Sequence, residues 1–469
     1  MKSRSAGRSA GRCPWRVGAF FCLLGSLVAG AGCKRPAEAS ANVLPAPKTL
    51  ESFKPTPLEQ NFEQVALGRL LFFDQRLSGD GTMSCATCHD PAKGFTDGLK
   101  TARGKGGKTL ARNSPSVINI DARAPFFWDG RAATAEEQAL GPIGSPDEMA
   151  KDVGELVSEL GDVPEYVARF KRAFGDPKIS GDRIGAAIAS FERTLVSADA
   201  PIDRFLGGDT AALSPEAAWG MRLFVGKAEC VKCHDGPHTT DAGFHNVGVV
   251  GEDVGRYKIL PIPVLKGAFK TPSLRDVELT APYFHDGSAL TLKDVVAHYN
   301  RGGDTKDNLD QDIKPLHLTD AEQEALVAFM KALTGNVSRI EVPRIPRLVA
   351  KPRFRSTKEL MKSTDGMLQQ LDQMIASVEG GRWTEVRTSL GTLIGNSEEL
   401  AALRLKATPA ARHEQLNELL GELIVDFEEL DSQAARHDRA KVAAMYEQVR
   451  TRCESCHDVF RWTNKQRGR

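Results

Sequence analysis

The chain has 469 residues, enough for about three domains of ordinary size. Its 62 Lys and Arg residues nearly balance its 61 Asp and Glu residues, which gives a formal net charge of +1. Because it has no excess of positive charge, we do not expect it to bind nucleic acid or to be held at a membrane surface by charge alone.

Residues 1–33 are typical of an export signal. A basic start precedes an apolar run over residues 17–28, which is too short to remain as a membrane span. Small residues then lead to Cys33, as in a bacterial lipobox, although Gly30 stands where leucine is usual. We expect a mature periplasmic chain anchored by a lipid on Cys33; the alternative is ordinary cleavage, with Cys33 incidental. Residues 34–56 are rich in Pro and Ala and are predicted to be a tether.

The pentapeptide Cys-x-x-Cys-His occurs three times, and it is the covalent attachment site of c-type haem. Two cysteines about one helical turn apart can reach the two vinyl groups of one porphyrin, and the histidine can bind the iron. Two Cys-x-x-Cys pairs could instead form a zinc site, but that leaves the third pair and all three histidines unexplained. We therefore expect three covalently bound haems. The residues are Cys85, Cys88 and His89; Cys230, Cys233 and His234; and Cys453, Cys456 and His457.

The nine cysteines are fully accounted for by these assignments. Cys13 and Cys22 lie in the leader, Cys33 is the candidate anchor, and the other six belong to the haem motifs. No cysteine remains for a disulfide.

Residues 57–340 read as short helices joined by loops rich in Gly and Pro, with few strand patterns; Phe62–Phe73 and Ile184–Leu195 are predicted helices. A segment at residues 114–134 recurs at residues 271–291, each copy after its own haem motif. Both copies contain Pro-Ser, then a second proline ten residues after the first, in Ala-Pro, and then Asp-Gly. The repeat predicts two tandem class I cytochrome c-like haem domains, residues 57–205 and 206–340.

The composition changes beyond a proline-containing linker at residues 341–355. Residues 356–469 read as four amphipathic helices, with the third haem motif near the end of the last one. This pattern predicts a four-helix bundle that holds a haem, in a chain that is mainly α-helical. The predicted breaks between helices are at Gly380-Gly381, at Gly395-Asn396 with Pro409, and at His437-Asp438.

Residues 57–340 resemble the bacterial di-haem cytochrome c peroxidases and the related MauG-type enzymes, and residues 356–469 look like the cytochrome c′ group. The first resemblance extends over the whole segment and is highly specific; the second is shorter and more generic. The peroxidase-like segments are Leu67-Gly68, Leu71-Phe72, 84–89, 112–115, 127–131, Glu148-Met149, 191–193 and 282–287; the cytochrome c′-like residues are Val449, Cys453, Cys456, His457, Phe460 and Arg461.

In this family peroxide is cleaved at the first haem, so the resemblance makes His89 its proximal ligand. Gln138 and Glu148 match the family's distal pair, ten and twenty residues after Trp128. A carboxylate there can move a proton between the peroxide oxygens and an amide can orient them. The alternative is that Gln138 and Glu148 are ordinary solvent-facing residues. Trp128 matches the tryptophan that lies between the two haems.

The sequence departs from many di-haem peroxidases in the loop after the first motif. Those enzymes carry a histidine there that blocks the iron until the second haem is reduced. No histidine occurs here between His89 and His234, and the loop at residues 104–108 is Gly-Lys-Gly-Gly-Lys. We therefore expect an open sixth position on the first haem and activity without reductive priming.

The sixth ligands of the other two haems have several candidates. Tyr299 lies fourteen residues after His285, where MauG-type enzymes have tyrosine, and a phenolate would lower the haem potential. His298 and the absence of a protein ligand are the alternatives; His285 is expected to orient loops. For the third haem, Met361 is the first candidate, Met367 the second, and an open site the third option.

The family also holds a calcium ion between its two haem domains. Asn113 matches the side-chain ligand, and Thr280 and Pro282 match the two backbone carbonyl ligands. Hard oxygen donors of this kind suit calcium.

The function implied by the resemblance is periplasmic reduction of hydrogen peroxide to water. Electrons would come from a small c-type cytochrome or cupredoxin, with the third haem as relay. One alternative is a MauG-like oxidase that modifies a protein partner, which Tyr299 and the missing histidine favour. Another is a multihaem electron carrier or sensor, against which Glu148 argues. A homodimer is suggested by analogy alone.

Overall fold

The computed structural model describes residues 49–55, 61–120, 124–337, 339–349, 357–402 and 410–465. The predicted leader, Cys33 and most of the tether lie outside these ranges. Within them, no helix is long and apolar enough to cross a membrane. The last tether residues belong to the fold, because Leu50 is buried and pairs with Gly236, and the Phe53 amide donates to Asp203 at 2.8 Å.

The described chain is mainly helical, as predicted. Its fourteen α-helices are α1 (Phe62–Phe73), α2 (Cys85–Cys88), α3 (Ala135–Gly144), α4 (Val153–Gly161), α5 (Pro164–Phe174), α6 (Gly181–Glu192), α7 (Pro201–Leu206), α8 (Pro215–Val225), α9 (Leu292–Asn300), α10 (Asp320–Lys331), α11 (Thr357–Glu379), α12 (Trp383–Ala401), α13 (Ala410–Ala435) and α14 (Arg439–Lys465). Four two-residue strands form two antiparallel pairs: β1 (Ser197–Ala198) with β4 (Asn336–Val337), and β2 (Phe244–His245) with β3 (Phe269–Lys270).

Two helix crossings have the same construction. Helix α1 packs on α6, and α8 packs on α10. A Cβ atom on Gly68 of α1 would lie 1.8 Å from the Ala187 carbonyl oxygen, and one on Gly220 of α8 would lie 1.9 Å from that of Ala325. Glycine therefore lets the two backbones of each pair approach closely. Each crossing belongs to its own buried core.

The repeated segments fold alike. Both contain a cis Ala-Pro bond, at residues 124–125 and 281–282, and a phenylalanine with positive φ, Phe127 at 68° and Phe284 at 66°. Each makes a matching bridge, Phe126 with Ala132 and Tyr283 with Ala289. The folded turns thus reproduce the repeat seen in the sequence.

Helix boundaries depart from the sequence analysis in two places. The Phe62–Phe73 prediction is confirmed, but the predicted Ile184–Leu195 helix is α6, which begins at Gly181 because Ser180 caps it. The predicted break at Gly395-Asn396 is wrong, because α12 continues to Ala401. Burial of Leu393, Ile394 and Leu400 outweighs the low helix propensity of one glycine.

The C-terminal helices, defined here as α11–α14, pack around one apolar core that includes Leu371, Leu390, Phe427 and Cys453. Helix α13 also packs against α5 of the first half. The contact is close, since a Cβ on Gly421 would lie 2.3 Å from the Pro164 carbonyl oxygen.

Charges surround this contact, and we call them the docking network. Arg172 of α5 pairs with Glu422 at 2.8 Å and with Asp426 at 2.5 Å. Arg344, before α11, pairs with Glu165 at 2.8 Å and with Glu398 and Glu428 at 2.6 Å each. Further pairs join Arg169 to Glu428, Lys171 to Glu418 and Arg452 to Asp426.

Candidate functional site

One apolar-walled cavity of about 920 Å³ is lined by residues of both the first and the second haem motif. The first motif forms α2, where the hydroxyl of Thr87 accepts from the Ser84 amide at 3.0 Å. The second motif forms a 3₁₀ turn at Cys230–Lys232. Cys88 and His89 of the first motif line the cavity, as do Cys230, Cys233 and His234 of the second.

The two motif histidines are oriented by the same kind of hydrogen bond. Nδ1 of His89 lies 3.2 Å from the Phe95 carbonyl oxygen, and Nδ1 of His234 lies 3.0 Å from that of Thr239. A proton on Nδ1 would leave the lone pair on Nε2, which is how a ligand histidine is usually oriented. Burial lowers the pKa of both imidazoles, so both are neutral and able to bind a metal.

The thiols of these motifs lie in surroundings suited to an apolar group. Burial raises the pKa of Cys88 to about 11 and that of Cys230 to about 12, and it also raises the pKa of Cys85. The described cysteines form no disulfide. Uncharged thiols, an oriented histidine and a large apolar cavity together fit a c-type haem at each motif.

The predicted distal residues face the same cavity as His89. Gln138 of α3 and Glu148 line it together. The carbonyl of Glu148 accepts from the Lys105 amide at 2.7 Å, and Lys108 forms an ion pair with Asp147. The histidine-free loop is therefore linked by a hydrogen bond and an ion pair to the segment that carries Asp147 and Glu148.

Trp128 and His285 lie where the segments of the first and the second haem motif, residues 57–205 and 206–340, meet. The Trp128 indole donates to the Asn113 carbonyl at 3.0 Å, and its own carbonyl accepts from the Lys270 amide at 2.9 Å. The rings of Trp128 and His285 lie 6.5 Å apart, and His285 stacks on Phe269 at 3.5 Å. His285 is thus held by packing within the loops, and its role in orienting them stays a prediction.

The groups around Tyr299 and His298 distinguish these two candidate ligands. Tyr299 lines the cavity, and its pKa is raised by burial and by the nearby Cys230 and Cys233. His298 is buried, with Nδ1 2.7 Å from Asp304 and Nε2 2.8 Å from the Val247 carbonyl. Because both ring nitrogens of His298 have partners, only Tyr299 of this pair has a donor atom free for a metal.

The residues predicted to bind calcium come from the segments that carry the first and the second haem motif. Asn113, Thr280 and Pro282 line the same cavity, and the Asn113 amide donates to the His285 carbonyl at 2.7 Å. The side-chain nitrogen of Asn113 donates to the Leu99 carbonyl at 2.9 Å, which leaves its oxygen as the side-chain donor atom for a cation.

The third motif lies on α14 of the C-terminal helices. Cys453 is buried in their core, as is Met367. The side chains of Cys456, His457 and Met361 lie outside the described residues. The position of Met367 fits a core residue.

Glu192 has no role predicted from the sequence. This carboxyl is buried at the end of α6 and lines the cavity, and burial raises its pKa to about 8. Its apolar neighbours in the α6 pattern were the available signal, since a Glu on a buried helix face is rare.

Comparison with known proteins supports the assignment of c-type haem to these motifs. Residues 62–211 match the family model described as di-haem cytochrome c peroxidase. The methylamine utilization protein MauG of Methylorubrum extorquens is 43% identical over 304 residues, 64% of this chain and 86% of that protein. Cytochrome-c peroxidase IdrP2 of Denitromonas iodatirespirans is 38% identical over 318 residues, 61% of this chain and 85% of that protein.

A solved structure agrees with the sequence relatives. The crystal structure of a MauG-like protein associated with microbial copper homeostasis is 32% identical and superposes with a TM-score of 0.57. The match covers 63% of this chain and 98% of that one. Because residues at two motifs suit a c-type haem and these relatives match, the chain belongs to the di-haem cytochrome c peroxidase family and is a peroxidase-type oxidoreductase with covalently bound haem.

Proposed function

We propose that this protein is a periplasmic triheme peroxidase that reduces hydrogen peroxide to water with electrons from a small redox protein. The observation that carries the proposal is that Glu148 and Gln138 line the same cavity as His89. A proton-transferring carboxylate and an orienting amide opposite an iron ligand are what heterolytic cleavage of peroxide needs.

In this proposal the haem at His89 would supply the iron that binds peroxide and at which the two-electron reduction of peroxide takes place. Glu148 would take a proton from one peroxide oxygen and deliver it to the other, which would leave as water. The side-chain amide of Gln138 holds the peroxide by hydrogen bonding during this transfer. The loop at residues 104–108 contains no histidine that would compete with peroxide for the iron of the His89 haem.

The second haem site would store one oxidising equivalent. Tyr299 would be its sixth ligand, and a phenolate lowers the potential of a haem and stabilises oxidised iron. Trp128 lies between the segments of the first and the second haem motif, and there it would shorten the electron path between the two haems. Calcium held by Asn113, Thr280 and Pro282 would stiffen the same boundary.

The third haem would relay electrons into the di-haem region. The C-terminal helices would form a cytochrome c′-like bundle with His457 as iron ligand and Met361 as the first candidate for the opposite side. Their contact with α5 supports the relay, since a fixed domain holds its haem close to the acceptor. A small c-type cytochrome or cupredoxin would be the donor, with the chain anchored by a lipid on Cys33 and a homodimer suggested by analogy.

A MauG-like oxidase acting on a protein partner is the second candidate. Tyr299 at the cavity, beside a His298 whose two nitrogens are engaged, favours it. Such an enzyme removes electrons from its target and needs no donor relay, so the attached C-terminal helices favour the peroxidase. A carrier or sensor is the third candidate, and it would not need Glu148.

The test is steady-state peroxide reduction by the full-length holoprotein with a reduced small cytochrome as donor. We expect Glu148→Gln to lower turnover by about a hundredfold or more. Glu137→Gln is the matched control, because Glu137 is exposed and caps the Ala133 amide, a role that Gln can also fill. Equal turnover in the wild type and Glu148→Gln would remove Glu148 from the mechanism. No turnover with any donor would favour the oxidase or the carrier.

A further inference from the structure

Tyr166 of α5 is fully buried, and its hydroxyl donates to the carboxylate of Asp74 at 2.5 Å. Asp74, itself 2% exposed, is also paired with Arg76, whose guanidinium lies 5.2 Å from the centre of the Tyr166 ring. Glu165 is the other charged group that influences the phenol. A buried phenol with a carboxylate as direct proton acceptor has the parts needed to lose an electron and a proton together.

Because Tyr166 is buried, the loss of its electron has to be coupled to the loss of its proton. Burial raises the pKa of Tyr166 well above its ordinary value, so the phenol does not ionise by itself. Oxidation without loss of the proton would leave a cationic radical in an apolar core, which is costly. A positioned base removes that cost.

A continuous path of contacts leads from Tyr166 to the first haem site. Asp74 directly follows Phe73, whose ring lies 5.3 Å from that of Phe72. Phe72 lies 6.5 Å from Phe95, whose carbonyl is 3.2 Å from Nδ1 of His89. Each step is a covalent link, a hydrogen bond or a pair of neighbouring aromatic rings.

A second path leads from Tyr166 to the C-terminal helices. Arg76 donates to the Pro346 carbonyl at 2.5 Å, in the segment that leads to α11. The neighbouring Glu165 is joined through Arg344 to Glu428 of α13, which follows the core residue Phe427. Tyr166 therefore lies where the first haem site and the third haem domain are connected.

From this placement we infer that Tyr166, with Asp74 as its proton acceptor, is a redox relay between the His89 haem and the C-terminal haem. The inference rests on the proposed function, because the oxidant is the His89 haem after it has reduced peroxide. It differs from that function in naming an amino-acid site that itself carries an electron.

The step balances in both directions. Tyr166 gives one electron to the oxidised haem and its hydroxyl proton to Asp74, which forms a neutral phenoxyl radical and a protonated carboxyl group. One electron from the C-terminal haem then reduces the radical while Asp74 returns the proton. The tyrosine and the carboxylate are restored, and one electron has passed between the haems.

The test mixes full-length, fully oxidised holoprotein with hydrogen peroxide in the absence of donor, followed by rapid freezing and electron paramagnetic resonance. We expect a free-radical signal that narrows when the protein contains ring-deuterated tyrosine and that disappears in Tyr166→Phe. Asp74→Asn keeps the phenol but removes the base, so radical formation should slow by about a hundredfold. Unfolding midpoints and haem spectra establish that both variants are folded.

Tyr446→Phe is the matched control, because Tyr446 also donates to an aspartate, Asp372, at 2.6 Å, but lies partly exposed on α14. Removal of the Tyr446 hydroxyl should leave the radical signal unchanged. In a second arm, peroxide should oxidise a pre-reduced C-terminal haem about tenfold or more slowly in Tyr166→Phe than in the wild type. Unchanged oxidation with no Tyr166 radical would overturn the relay while peroxide turnover stands; loss of wild-type turnover would overturn the proposed function and the relay together.

Discussion

At the scale of single residues, Glu192 predicts a pH dependence of stability. Burial raises its pKa from 4.5 to about 8, and a bound haem would remove still more water. Between these values the folded protein keeps a proton that the unfolded chain has released, so the free energy of unfolding falls as pH rises from about 4.5 to about 8.

Glu192→Gln should remove this loss. The variant's free energy of unfolding should change less than that of the wild type between pH 5 and pH 8, by a few kcal/mol, in urea titrations of the holoprotein. Glu137→Gln, at an exposed position, should keep the wild-type slope. An identical slope in wild type and Glu192→Gln would show that Glu192 does not retain its proton.

Tyr299 gives a second prediction at this scale. If it binds the second haem, Tyr299→Phe should change that haem's spectrum and raise its reduction potential, because an electron-donating phenolate is lost. Potentiometric titration with optical detection measures both. Tyr283→Phe is the control, since Tyr283 lines the same cavity. A potential unmoved by Tyr299→Phe would rule out ligation.

The sequence predicted the residues whose spacing encodes chemistry. Gln138 and Glu148 were predicted as the distal pair; they line the same cavity as His89, and their distal role stays a prediction. Partners that depend on long-range packing left no sequence signal. Tyr166 meets Asp74 across 92 positions of chain, and nothing local marks either residue as half of a pair.

At the scale of elements, the two glycine-mediated crossings should be sensitive to one methyl group. Gly68→Ala in α1 would place a Cβ 1.8 Å from a carbonyl oxygen, so we expect a loss of about 2 kcal/mol or more from overpacking. Gly391→Ala in α12 meets no heavy atom within 4 Å and should gain about 0.5–1 kcal/mol. Urea-unfolding midpoints of the holoproteins measure both.

Similar midpoints for the two variants would contradict the close crossing. The bounds predicted for α1, Phe62–Phe73, are those of the structure, where Asn61 caps the helix by accepting from the amides of Glu63 and Gln64. The predicted break at Gly395 failed for a tertiary reason: the core around Leu393 and Ile394 supports a helix that local propensity would have ended.

At the scale of the whole molecule, the docking network should hold the C-terminal helices on α5. Arg344→Ala would remove the cation shared by Glu165, Glu398 and Glu428, of which Glu165 and Glu428 keep their pairs with Arg169. We therefore expect a cost below the about 3–5 kcal/mol that typically follows when a buried charge is left without any partner. We expect faster amide hydrogen exchange in α5 and α13, measured by mass spectrometry.

Arg387→Ala is the control, because its pair with Asp431 is largely exposed and should contribute about 1 kcal/mol or less. Unchanged exchange in Arg344→Ala would show that packing alone holds the contact. The sequence predicted a separate C-terminal domain but not where it lies, because the charges of the network are spread over α5, the segment before α11, and α12–α14.

The account depends most on a vacant coordination position at the His89 haem. The most direct measurement is electron paramagnetic resonance of the fully oxidised, full-length holoprotein, before and after addition of cyanide. We predict a high-spin signal from the His89 haem in the resting protein and its conversion to a low-spin signal by cyanide, without prior reduction. A resting protein in which every haem is low-spin and cyanide changes nothing would contradict the account.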